Sequence, residues 1–180
     1  MSKYLFKSSM NNVKTMARFL YYSTRIVAYL YAAITLHSGI ALVTRWSFRT
    51  SENGQHFQIL FPFTPTAVLN GDNNLHYTLF EFLIPLFLYS LFFFWLSSVF
   101  KVFFQPKLFT ENAIYHLNRF YLANFIAPGL MLVIVSITDH FEAEALVLVM
   151  LHAVIGIFAY FLAAIFKKGV NLQKEQDLII

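Results

Sequence analysis

The chain contains no cysteine. Disulfides, thiol nucleophiles and Cys-bound metals are therefore excluded. Charge is scarce as well. Only 12% of the 180 residues are Asp, Glu, Lys or Arg, against about 25% in soluble domains. The sequence also carries no nucleophile signature, no glycine-rich phosphate loop and no carboxylate pair set for acid–base work. Glu142 and Glu144 read as solvated loop residues. The expectation is a protein that is not an enzyme and that needs no cofactor.

What fills the chain instead is apolar. Hydrophobic residues make up 58% of it, with 22 phenylalanines. Residues 82–100 form a run of 19 without one formal charge. At about 1.5 Å per residue such a helix reaches roughly 28 Å, close to the hydrocarbon thickness of a bilayer. A helix of a small soluble domain keeps a polar face, and this run has none. Three more uncharged stretches follow the same rule. The spans are set at residues 26–44, 76–100, 120–138 and 143–166, which predicts an all-α integral membrane protein built as a four-transmembrane-helix bundle. The lipid bilayer is its first partner.

Residues 1–25 precede the first span. Phe6, Met10, Val13, Ala17 and Leu20 repeat at helical spacing, and Lys3, Lys7, Lys14 and Arg18 form a second stripe. That pattern reads as a basic interfacial helix. The outer loop, 45–75, is long. Asn53-Gly54 lies between alternating apolar and polar residues and signals a hairpin turn, a signal repeated at Asn70-Gly71. A small β-hairpin cap is expected there. In the inner loop, 101–119, Pro106 ends the second helix and Thr110 is an N-cap followed by Glu111. A short acidic loop near 139–144 joins the last two spans, and Gly169 is read as the C-cap of the fourth, before a tail at 167–180.

The side follows from the basic residues. Lys3, Lys7, Lys14, Arg18, Arg25, Lys101, Lys107, Arg119, Lys167, Lys168 and Lys174 fall on one side, and only Arg45 and Arg49 on the other. The positive-inside rule puts both termini in the cytoplasm. The net charge of +4 is then membrane-surface charge facing anionic lipid, not a nucleic-acid footprint.

Two stretches on that side carry a resemblance. KLFTENAIYHLNRF, residues 107–120, and IFKKGVNLQKEQDLII, residues 165–180, resemble the loop and the ending of a family of small bacterial membrane proteins catalogued as domain of unknown function 2975. The matching tail positions are Phe166, Gly169, Leu172, Gln173, Glu175, Asp177, Leu178 and Ile180. The long aromatic outer loop and Phe120 depart from the family pattern. The resemblance implies a bacterial inner-membrane location and a regulatory or stress context, and it supplies no catalytic residues. Thr110, Glu111, Asn112, Gly169, Gln173, Glu175 and Asp177 thus form a cytoplasmic motif. Its polar members cap helices and tie down the tail, or else form a collar on which a cytoplasmic protein docks.

Polar groups inside spans are costly and face the bundle interior. His37, Glu81 and His152 fall about 6 to 13 Å below the outer surface by helical rise. Pro85 and Pro128 free the carbonyls of Glu81 and Asn124. His37, Glu81, Asn124 and His152 are therefore the candidates for a polar pocket. Helix-joining hydrogen bonds, a small-ligand, lipid or quinone cavity, a proton relay, and metal or haem ligation are the alternatives, and no metal is assigned. Arg25 either snorkels to phosphate or pairs with Asn124. His116 reads as a surface histidine. The function expected is a partner-binding or regulatory membrane subunit, with a membrane or cytoplasmic protein or a second copy as partner. A small oligomeric channel or carrier, or a lipid- or quinone-binding protein, is the alternative.

Overall fold

The computed structural model describes residues 2–51, 53–138 and 143–177. Along the chain come α1 (Ser2–Thr44), β1 (Phe48–Thr50), β2 (His56–Leu60), β3 (Ala67–Asp72), a π-helical segment (Tyr77–Leu83), α2 (Ile84–Val102), α3 (Glu111–Thr138) and α4 (Ala143–Asp177). The chain is mostly helical. Among the described residues three helices, Met10–Thr44, Tyr77–Val102 and Leu146–Asp177, are long and apolar enough to cross a membrane.

Two helix boundaries differ from the sequence reading. The interfacial helix at 1–25 and the span at 26–44 form one continuous helix, Ser2–Thr44. That segment has no proline and its first glycine is Gly39, so nothing local interrupts the hydrogen-bond ladder. Likewise α4 does not stop at Gly169. It runs on to Asp177 through Lys, Gln and Glu, which are good helix formers. The acidic loop near Asp139 and Glu142 and the tail end at Leu178 and Ile180 lie outside the described residues.

The chain divides into two compact units. The first is Val27–Leu91. It carries not a two-stranded hairpin but a three-stranded antiparallel sheet in the order β1-β2-β3. Asn53-Gly54 makes the expected turn between β1 and β2. Gly54 adopts φ 71°, a left-handed conformation that glycine takes without strain, and its N–H donates to the Ser51 carbonyl at 2.9 Å. Asn70-Gly71 is not a turn. Both residues lie within β3, where Gly71 sits opposite Phe57. A Cβ on Gly71 would come within 2.7 Å of Tyr77 and 2.8 Å of Phe57, so glycine serves close aromatic packing there. Phe57 and Ile59 alternate with Gln58, point to one face and are fully buried, clustered with Ala41 and Phe82. Phe57 meets Phe82 edge to face at 5.3 Å. Within this unit Ser90 Oγ also donates to the Ala28 carbonyl at 3.1 Å, joining α2 to α1.

The wide π turn ends two residues before Pro85, the second residue of α2. Proline has no N–H for the carbonyl of Glu81, and its ring needs room at that carbonyl. An i→i+5 turn gives that room, which accounts for a π segment at this point.

The second unit comprises the described residues of Met1–Ile26 and Phe92–Ile180. Its core is a seam between α3 and α4, with the end of α2 beside it. Ala113, Leu117, Phe120 and Asn124 on α3 recur at steps of four, three and four and are all buried. On α4 Ala159, Ala163, Phe166 and Val170 recur in the same manner and are also buried. This is the 3–4 alternation of a coiled-coil seam. Gly156 extends it. A Cβ there would lie 3.0 Å from the Phe125 ring and 3.3 Å from Asn124 Cβ, so the two backbones approach closely. Glu111 at the start of α3 meets Lys174 near the end of α4, so the pair is antiparallel.

Candidate functional site

The second unit brings the two sequence motifs together. After α2 ends at Val102 the chain turns through residues 103–110, past Pro106. Thr110 then caps α3 as expected, with its Oγ1 accepting from the Ala113 N–H at 3.1 Å. This satisfies one of the donors left open at a helix start. One residue earlier, the Phe109 ring packs against α4 at Gly169. A Cβ on Gly169 would meet that ring at 2.5 Å. Gly169 is therefore a notch inside a helix rather than a C-cap. Phe109 also meets Phe166 edge to face at 5.2 Å, and Phe166 meets Phe103 at 5.9 Å.

A polar clasp lies beside this aromatic one. Lys174 Nζ donates to Glu111 Oε1 at 2.8 Å. Lys174 was not among the motif residues singled out in the sequence, nor was Phe109. The motif's other polar members are turned outward. Asn112, Gln173, Glu175 and Asp177 are exposed, as is Leu172 on the same helical stretch.

The four pocket candidates have the following partners. Asn124 and His152 meet across the α3–α4 seam at 2.8 Å, from Oδ1 to Nδ1, and the Asn124 amide donates to the Phe120 carbonyl at 2.8 Å. The His152 ring also lies edge to face with Phe92 at 5.2 Å. In the other unit, His37 Nε2 donates to the Leu60 carbonyl at 2.9 Å. Leu60 lies at the bulge where the β2–β3 register shifts, which accounts for a carbonyl left over for a side chain. Glu81 Oε1 lies 3.7 Å from His76 Nδ1. Among the described residues no three His, Asp or Glu side chains gather closely enough to hold a metal ion. Arg25 stacks its guanidinium over Phe94 at 4.0 Å and over Tyr21 at 5.5 Å.

His116 is not simply a surface residue. It is half-buried on α3 and lines a small cavity together with Lys101, Lys107 and Asn112. Burial, with the charges of Lys101 and Arg119 nearby, holds its imidazole below the usual histidine range.

Comparison of the chain with protein-family models, with curated proteins and with solved structures returned no match.

Proposed function

We infer that this chain is a non-enzymatic multi-pass protein of the bacterial cytoplasmic membrane, with four spans and both termini in the cytoplasm, that acts as a partner-binding or regulatory subunit. One observation carries the reading. The start of α3 and the end of α4 are clasped through Phe109 in the Gly169 notch and Lys174 on Glu111. With the spans as read, this junction belongs to the side that carries eleven of the thirteen Lys and Arg residues.

The clasp fixes a helical surface while leaving Leu172, Gln173, Glu175 and Asp177 exposed. An exposed apolar residue among acids and amides suits a protein partner better than acyl chains or nucleic acid. The two clasped stretches are also those that resemble the domain of unknown function 2975.

The test has two parts. Reporters fused at Met1 and at Ile180 are expected to be active only as cytoplasmic fusions. A photo-crosslinking residue at position 172, used in living cells, is expected to capture a discrete protein, whether a second copy or another chain. Glu111→Ala with Gln173→Ala is expected to abolish that capture, and capture that survives the pair overturns the docking surface. Ion or solute flux through liposomes of the purified chain would instead support the channel or carrier reading.

A further inference from the structure

The turn between α2 and α3 borders a small, partly open cavity of about 20 Å³ whose walls carry Lys101, Gln105, Lys107, Thr110, Asn112 and His116. Its chemistry is one-sided. Two lysines, two carboxamide residues and a histidine are among the lining residues, and no carboxylate is. Glu111, their neighbour in sequence, is held by Lys174 at 2.8 Å. Thr110 Oγ1 already accepts from the Ala113 N–H, so its own hydroxyl proton is available to a ligand. His116 is lowered first by burial and then by the charges of Lys101 and Arg119, and only the second part reflects a positive field.

Two lysines beside carboxamide and hydroxyl donors, with no carboxylate in the lining, suit an oxyanion. The volume of about 20 Å³ holds one water-sized oxygen, and the remaining atoms of an anion would stay at the open mouth. Lys101 directly follows the uncharged run of residues 82–100, so the cavity lies where that apolar helix meets its first basic side chain. In a bilayer this is headgroup level.

We propose that this cavity binds a phosphate group, with one oxygen seated among Lys101, Lys107 and His116. An anionic lipid headgroup and soluble phosphate share this chemistry, and the level of Lys101 favours the headgroup. The site shares Thr110 and Asn112 with the cytoplasmic motif but not the exposed tail residues, and its test rests on Lys101 and Lys107, which the docking surface does not use.

The test uses the full chain in nanodiscs of a phosphate-free, uncharged glycolipid. Short-chain phosphatidylglycerol and, separately, inorganic phosphate are titrated in and followed by calorimetry. Saturable binding near one per chain is expected. Binding of phosphatidylglycerol alone identifies the headgroup as the source, and equal binding of inorganic phosphate identifies the soluble anion. Lys101→Gln with Lys107→Gln is expected to weaken binding by about tenfold or more, because bonds to charged groups are lost. Lys167→Gln with Lys168→Gln removes the same charge elsewhere and is expected to leave binding within about twofold. Asn112→Asp, which adds a carboxylate to the wall, provides an independent loss of binding. Absence of saturable binding by either ligand, or equal weakening by the two lysine pairs, overturns the proposal.

Discussion

His152 Nδ1 and Asn124 Oδ1 lie 2.8 Å apart across the α3–α4 seam. The Asn124 nitrogen already donates to Phe120, so its oxygen faces the imidazole and can only accept. Nδ1 therefore carries the ring proton, and Nε2 is left as the basic nitrogen. One carboxamide thus sets the tautomer of one histidine across the helix seam.

That bond should be measurable as a coupling. Asn124→Leu and His152→Phe are each expected to destabilise the chain, and their double-mutant cycle to give about 0.6 kcal/mol, no more than about 1.7, as for side-chain bonds between membrane helices. Reversible unfolding in mixed detergent micelles reads this. A coupling of zero would mean that the two residues do not act together.

Gly169→Ala tests the notch. Its Cβ would meet the Phe109 ring at 2.5 Å, too close for any real contact. The expected cost is about 1–3 kcal/mol, as for overpacking a tight site. Phe109→Leu, added to Gly169→Ala, is expected to recover part of it. Thermal unfolding in detergent measures both. Were Gly169 a helix terminator instead, Phe109→Leu would restore nothing.

The Glu111–Lys174 pair has a chemical signature. A zero-length carbodiimide is expected to join these two side chains, which peptide mass spectrometry detects as a bridge between the α3 start and the α4 end. Energetically the pair should matter little. Both side chains are well exposed, 64% and 71%, so Glu111→Gln is expected to cost less than about 1 kcal/mol.

These contacts mark what the sequence could and could not disclose. Local signals were legible because their partners are near in the chain. Thr110 bonds to Ala113, and Asn53-Gly54 turns between its own flanking strands. The apolar runs were legible because length and composition alone define them. The glycines misled. Gly71 and Gly169 look like a turn and a C-cap, yet each makes room for an aromatic ring. No local rule distinguishes those uses. Phe57, opposite Gly71, and Phe109, against Gly169, arrive from distant positions. Lys174 meets Glu111 from 63 residues away, and His37 reaches Leu60 from 23. Depth counting set His37, Glu81 and His152 at one level, but it could not assign their partners, and Glu81 is exposed. The 3–4 spacing of Ala159, Ala163, Phe166 and Val170 was present in the sequence and would have indicated the seam.

His116 gives a pH dependence with a definite sign. Its folded-state value is lowered, first by burial and then by Lys101 and Arg119. Below the ordinary value of about 6.5 the unfolded chain takes up a proton that the folded chain still refuses. Stability therefore falls as pH drops from about 6.5 towards the lower folded value, and it is unaffected by this group above that window. His116→Gln is expected to flatten this acid limb, read from thermal midpoints at several pH values. An unchanged limb would assign the pH response to other groups.

The π turn before Pro85 has a geometric consequence. Each residue of an α-helix advances the screw by about 100°, so one surplus residue offsets the azimuth of everything before it by about that angle. Tyr77, which opens the π segment, takes up this offset and packs over Gly71 of β3, beside the core of Phe57 and Ile59. On an uninterrupted screw it would point more than a quarter of a revolution aside. The proline here acts less as a bend than as an indexing stop that sets the rotation at which an aromatic side chain meets the sheet.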